Sequence, residues 1–272
     1  MPGQTKIYAI PAAFLLWVIV PAVCAQETGL KTRSGTEIGA TVSHYRYEEP
    51  SLGVKLEGYK GGLDLSVFTN PGGDWFIHLQ GRYEYGKTDY TGSGTKNGNP
   101  DWYYELRAMF GKDFDRGTFS LSPFIGLGFR YLYNDLRGVT STGAVGYTRE
   151  SQYSYIPIGV THRIRLESKA RLATTLEADY LIQGRQTSTL SDVSPILGDV
   201  TNDQRDGYGI RGSVFYETDK WLFGPWVQYW HTNRSDLAPV LATIGGVTFI
   251  IGTAFEPTNK TTEIGLRLGY RF

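Results

Sequence analysis

TTEIGLRLGYRF, residues 261–272, decides how the rest of this chain is read. Ile264, Leu266, Leu268, Tyr270 and Phe272 alternate with Glu263, Gly265, Arg267, Gly269 and Arg271. In an extended strand a period of two sends the first set to one face and the second set to the other. The charged face is too polar for an ordinary protein core. The apolar face runs to the last residue of the sequence.

Working outward, the same alternation recurs along the chain. Ten segments read as strands: 36–47, 53–68, 74–90, 101–114, 118–133, 152–166, 171–186, 207–218, 221–235 and 259–272. In the fifth, Phe119, Leu121, Ile125, Leu127, Phe129 and Tyr131 oppose Ser120, Ser122, Gly126, Gly128 and Arg130. In the seventh, Leu172, Leu176, Ala178, Tyr180 and Ile182 oppose Arg171, Thr175, Glu177, Asp179 and Gln183. The second departs from the pattern, because Leu63, Leu65 and Val67 are out of phase with Val54 and Leu56, and a β-bulge is expected near Gly61-Gly62. Most of these strands pass ten residues, which tilted by about 40° suffices to cross the apolar band of a membrane.

The connections alternate too. NPGG, DRG, ESKA and TDK are short, whereas GSGTKNGNP and the stretches 134–151, 187–206 and 236–258 are long; the first connection, around EEPS, is the exception. Aromatics gather at both strand ends. Trp75, Phe110, Phe119, Tyr216, Trp221 and Phe272 lie toward the short turns. Tyr85, Trp102, Tyr131, Tyr133, Tyr153, Tyr180, Tyr208 and Tyr229 lie toward the long loops, giving two belts at the expected interfaces. These patterns predict an all-β protein, a single-domain, ten-stranded antiparallel transmembrane β-barrel with short periplasmic turns and longer extracellular loops. Only a closed sheet satisfies every backbone group within lipid.

The composition fits this fold, with 19 Tyr, 6 Trp, 34 Gly and only 2 Met in 272 residues. The first 25 residues stand apart. MPGQTK carries one positive charge, an apolar run follows, and Val23-Cys24-Ala25 offers small residues for cleavage, which is the layout of a signal peptide. Residues 1–25 are therefore expected to be a signal peptide and 26–272 the barrel domain. Cleavage after Ala25 removes the one cysteine and leaves 26 basic against 27 acidic side chains, so thiol chemistry and nucleic-acid binding are both excluded.

A final strand of alternating apolar residues closing on aromatic-x-Phe resembles the terminal strand of bacterial outer-membrane β-barrel proteins. The resemblance implies a cell outer membrane location in a Gram-negative bacterium, in contact with lipid and lipopolysaccharide. It also implies recognition of Tyr270 and Phe272, with Ile264, Leu266 and Leu268, by the barrel-assembly machinery, and closure of the sheet against the first strand. The class holds porins, proteases, acylases and adhesins, so it does not choose a function.

Function is sought first in the lumen. Glu37, Asp64, Glu84, Glu105, Glu177, Asp179, Glu217 and Glu263 are expected to face inward, against Arg82, Arg107, Arg130, Arg163, Arg165, Arg211, Arg267 and Arg271. Matched acids and arginines favour a lumen plugged by ion pairs over an open pore. The leading expectation is a non-enzymatic surface protein with structural, adhesin-like or envelope-interaction roles and no cofactor or metal.

Two other readings compete. Ten strands is also the size of the omptin proteases, which need an Asp pair facing an Asp–His pair. Only His231 in YWHTNRSD lies at rim height, with Asp236, Ser235, and more distantly Asp89, Asp101 or Asp203 as potential helpers for a protease or lipid deacylase. No family motif matches these positions. The loop PVLATIGGVTFII folds two apolar arms over Gly245-Gly246, and three roles are open to this 240–251 hairpin: gating a transporter of apolar solutes, lying over the mouth, or packing on Tyr147 and Tyr153. DVTNDQRDG, 199–207, is rich in oxygen ligands, but its spacing departs from a calcium loop.

Overall fold

A computed structural model describes residues 29–166 and 170–272. The expected signal peptide, Cys24 and most of the ESKA turn lie outside the described residues. Strands β1 (Gly35–Glu49), β2 (Val54–Gly72), β3 (Trp75–Gly92) and β4 (Gly94–Lys112) form an antiparallel meander. It continues through β6 (Phe119–Val139), β7 (Val145–Arg165) and β8 (Arg171–Ser188), with the two-residue β5 (Phe114–Asp115) paired to β6. Next, β10 (Gly207–Glu217) pairs with β8, β11 (Trp221–Thr232) with β10, and β14 (Asn259–Arg271) with β11. Finally β14 pairs with β1, from Glu37↔Arg271 to Glu48↔Lys260. The ring is closed by ten antiparallel strands, so no barrel strand is left with an unpaired edge.

The ten expected strands are all present, and they alternate largely as read; on β8 a register shift opposite Ser154 and Tyr155 turns Gln183, expected inward, outward. On β14, Ile264, Leu266 and Leu268 face outward, while Glu263 and Arg267 are buried in the lumen. On β8, Leu176 is 63% exposed and its neighbour Glu177 only 7%. The outer wall between the aromatic belts is a continuous apolar surface that includes Val42, Leu65, Leu106, Leu127, Ile158 and Ile210. Rings meet within the belts, with Trp75 stacked on Phe110 at 4.8 Å and Trp102 on Tyr133 at 5.2 Å.

Three more expectations are corrected. The bulge near Gly61-Gly62 is absent, and the register of β2 against β1 and β3 runs through those residues without a shift. Val54 and Leu56 are simply on the inner face, where Leu56 is buried at the loop end of the lumen; the irregularity lies at Thr69–Gly72, beside the turn. Tyr153 does not join the outer belt. It shares the inward parity of Arg163 on β7 and packs with Tyr103, Tyr155 and Trp230 inside the barrel.

The third correction concerns the long loops, which are in part strand. β3 and β4 continue through the GSGTKNGNP segment, and β6 and β7 leave only residues 140–144 between them. Beyond the membrane, backbone pairing still satisfies donors and acceptors, so the hairpins extend upward. β9 (Val200–Gln204) prolongs β8 in the same way, while β12 (Ala238–Ile244) and β13 (Val247–Ala254) form a separate hairpin.

Candidate functional site

The inward side chains meet in the middle of the barrel and fill it. Glu263 accepts hydrogen bonds from Ser43 Oγ (2.6 Å), Gln228 Nε2 (2.6 Å) and Tyr103 Oη (3.0 Å). Arg130 lies 3.9 Å from Glu263 and stacks on the Tyr103 ring at 4.2 Å. Arg211 donates both Nη groups to Glu105 (2.6 and 2.8 Å) and Nε to Asp179 (2.6 Å), and Tyr155 Oη donates to the same Glu105 (2.8 Å). Arg107 pairs with Glu177. Arg130, Glu263, Tyr103 and Tyr155 are each at most 1% exposed. Acids and arginines buried side by side in this way neutralise one another inside the protein.

The remaining expected lumen residues fall around this plug. Arg267 forks onto Asp64, with Nε at 2.9 Å, and lies 3.6 Å from Glu37, which also pairs with Arg271. Arg163 approaches Glu217 at 3.9 Å and donates to Ser122 Oγ at 3.0 Å. Glu84 is buried too, but its partner is the Thr41 hydroxyl at 2.5 Å rather than an arginine. Arg165 is exposed at the short-turn end, outside the buried network.

The inner wall has to be thin where these groups lie flat. A methyl added to Gly39 would sit 2.1 Å from Asp64 Oδ1 and 2.9 Å from Arg267 Nε. One added to Gly128 would sit 2.1 Å from the Tyr155 ring. The glycines opposite the apolar residues are therefore space for ion pairs and plug aromatics.

Several buried members were not singled out from sequence. Lys60 pairs with Asp101 with both side chains fully buried, its ammonium 3.5 Å from the Tyr45 ring centre, and Asn134 Nδ2 donates to the same Asp101 (2.6 Å). Arg171 pairs with Glu217 at 2.8 Å. At the loop end Arg149 binds Glu49 (2.8 Å) and Glu256 at once, with Tyr47 Oη alongside. Burial, with Glu49 close by, pushes the Glu256 carboxyl above the usual range, because one arginine serves two acids there. The signal for Lys60, Arg149 and Arg171 was parity, shared with Asp64, Arg163 and Glu177 respectively.

Two cavities flank the plug. The one toward the short turns has a volume of about 170 Å3 and is lined by Phe68, His78, Arg82, Arg171 and Trp226 among others. The one toward the long loops, about 400 Å3, is lined by Tyr90, Lys96, Tyr147, Arg149 and Phe255 among others. No residue lines both. At the short-turn end the chain before β1 is strapped to the barrel. Thr32 donates its N–H and its hydroxyl to Asp113 (2.9 and 3.0 Å), and Leu30 N–H reaches Asp115 (3.3 Å). Leu30 accepts from Ser120 Oγ (2.8 Å), while Lys31 pairs with Asp74 and Arg33 with Asp219, each at 2.9 Å. Lys31 holds the Asp74 carboxyl below its usual range.

The rim groups named above have these partners. His231 is on the outer face of β11, its ring tilted against Tyr208 at 5.3 Å, with Nε2 3.0 Å from Asn233 Oδ1. Ser235 Oγ donates to Asp236 O and accepts from Glu256 N–H, both at 2.8 Å. Asp89 accepts from Gly98 N–H and Asp203 from Arg185. In the 199–207 segment, Asp199 accepts from Ser191, and Asn202 Nδ2 donates to the carbonyls of Asp236 and Ala254. Among the described residues no group of three His, Cys, Asp or Glu is placed to hold a metal ion.

The 240–251 loop is the expected hairpin, with Gly245 and Gly246 at φ 61° and 81° as its tight turn requires. Tyr153, one of its expected packing partners, lies inside the barrel instead. The hairpin docks by one edge on residues 196–198, through Gly198 N–H to Leu241 O (2.9 Å) and Thr243 N–H to Ile196 O (2.8 Å). Ile244, Val247, Phe249, Ile250 and Ile251 are all at least half exposed.

No protein-family model matches the chain, and no curated protein matches it. Among solved structures, the outer membrane protease OmpT from Escherichia coli is similar over 88% of this chain and 94% of its own, at 11% identity and a TM-score of 0.53. The β domain of the Bordetella autotransporter BrkA is 14% identical over 88% of this chain and 99% of its own, with a TM-score of 0.42. The attachment invasion locus protein Ail of Yersinia pestis is 11% identical over 89% and 100%, with a TM-score of 0.30. What these likenesses carry is the fold, and the OmpT alignment alone is close enough to carry it. This chain has the closed ten-stranded architecture of a bacterial outer-membrane β-barrel.

Proposed function

We propose that the protein is a sealed integral barrel of the Gram-negative outer membrane that acts through its extracellular hairpins, as a structural or adhesin-like envelope component. The observation that carries this reading is the interrupted lumen: the Glu263–Arg130–Tyr103 and Glu105–Arg211–Tyr155 clusters lie between two cavities that share no lining residue. An ion crossing it has to displace buried, bonded charges, which is costly. The apolar outer wall and the two belts suit a bilayer, with lipopolysaccharide and lipid as the surroundings.

In this reading residues 1–25 direct export, and Tyr270 and Phe272 present the terminal strand to the assembly machinery. Phe272 is 73% exposed at the wall's lower edge, 5.0 Å from the Tyr270 ring, and β14 pairs with β1 as that role requires. The long hairpins, including the exposed apolar 240–251 tip, supply the contact surface. No catalytic group is needed.

Planar-bilayer recording on the full barrel tests the reading. Insertion without stepwise conductance is expected. Regular open steps in the unmodified protein would overturn it in favour of a channel. Membrane fractionation checks the location independently: the protein is expected with outer-membrane markers and, before boiling, to migrate as a compact species on gels.

A further inference from the structure

The cavity between the plug and the N-terminal strap has a set of unused hydrogen-bonding groups weighted towards nitrogens. Seven buried nitrogens on its lining have no hydrogen-bond partner among the described residues: Arg33 Nε, His78 Nε2, Arg82 Nε, Arg107 Nε, Arg171 Nη1, Trp226 Nε1 and Arg271 Nη1. Buried polar groups in native proteins are rarely left unpaired, so the excess calls for an acceptor. Three unbonded oxygens on the lining, of Gln228, Glu177 and Glu217, are too few for seven nitrogens, and only the Gln228 amide oxygen is clear of an arginine in an ion pair. The unbonded oxygens of Glu177 and Glu217 already lie 3.3 and 2.8 Å from arginine nitrogens.

Charge points the same way. Eight arginines line this cavity against three glutamates. Acids just behind the wall, such as Asp64, Glu105 and Asp179, are engaged by Arg267 and Arg211. Arg82 has no ion pair among the described residues; its guanidinium lies over the Trp226 ring at 4.6 Å. Arg171, 4% exposed, shares Glu217 with Arg163 and keeps one Nη free. Guanidinium groups present flat forks of N–H donors that match oxyanions.

We propose that this cavity binds a small multivalent oxyanion of the phosphate class, held by Arg82 and Arg171 with Arg107, Arg271, His78 and the Trp226 indole. A volume of about 170 Å3 holds such an ion with several waters. The strap from Leu30 to Arg33 contributes Thr32 and Arg33 to the lining. The site is independent of whether the outer hairpins bind anything.

Trp226 is the built-in reporter. Inorganic phosphate and glycerol phosphate are titrated into the folded full barrel at constant ionic strength, with chloride as the comparison ion. Saturable change in Trp fluorescence with phosphate, little with chloride, and loss of the signal in Trp226→Phe are expected. Arg82→Gln leaves no acid without its ion pair, so it should fold and raise half-saturation about tenfold, the scale of one charged hydrogen bond. Should it fail to fold, Arg171→Lys, which keeps charge and loses the fork, must produce the weakening instead. Equal binding of both phosphates identifies a phosphomonoester site, and binding of inorganic phosphate alone identifies a site closed around the free ion. A response that chloride reproduces, that never saturates, or that survives the arginine substitution unchanged overturns the proposal.

Discussion

Leu176 and Glu177 are adjacent on β8 and face different solvents, so one pair of substitutions tests the assignment of faces. Leu176→Arg puts a charge against the lipid chains and is expected to cost about 2–4 kcal/mol in denaturant unfolding of the folded barrel. Glu177→Gln leaves the outer wall alone and is expected to show normal insertion, its effect confined to Arg107 and Arg211. Equal tolerance of the two would mean the faces are reversed. Glu256 offers a pH test at the mouth. Its carboxyl is raised by burial, so the folded state holds the proton more tightly than the unfolded chain. Its contribution is therefore full below the ordinary glutamate range and is lost as pH rises through the raised value. Unfolding midpoints of the native protein should fall across that window relative to Glu256→Gln; parallel profiles would remove Glu256 as the cause.

At the scale of elements, the strap and the hairpins extend what the barrel does. Asp113 takes both polar groups of Thr32 and the Ser122 hydroxyl, so Asp113→Ala should free the segment before β1. Trypsin, which cuts after Lys31 or Arg33, should then trim the variant from the short-turn side while the native barrel resists. Equal resistance would mean that Lys31–Asp74 and Arg33–Asp219 suffice. The strands themselves were legible because lipid outside and ions inside impose a strict two-residue period. The misreadings mark where that contrast fades. Leu56 and Tyr153 are apolar or aromatic residues on the inner face near the loop end, where such side chains pack among the Lys60–Asp101 and Arg149–Glu256 pairs. The extended hairpins lack lipid contact, so their alternation carries no such signature. The partnership of Arg149 with Glu256 joins residues 107 positions apart, and no local pattern announces it. The same holds for the cavity donors, whose lack of acceptors exists only once the barrel closes.

For the molecule as a whole, the question is whether closure of the lumen is built from the plug or from the entire packed interior. The plug is aromatic as much as ionic: Tyr103 and Tyr155 are fully buried, Arg130 lies on the first ring, and Trp230 meets the second edge-on at 5.1 Å. Gly128 lets the Tyr155 ring lie against the wall, so truncating that ring leaves space no neighbouring side chain fills. The double variant Tyr103→Ala/Tyr155→Ala keeps every formal charge while joining the cavities on either side. It should insert normally and, unlike the native protein, show small discrete conductance steps in a planar bilayer. Arg130→Ala alone should instead destabilise without opening, because Glu263 keeps three neutral donors and the rings stay in place. If the tyrosine variant folds and remains silent, closure belongs to the Lys60–Asp101 and Arg149–Glu256 layers above it, and the seal is distributed along the barrel axis.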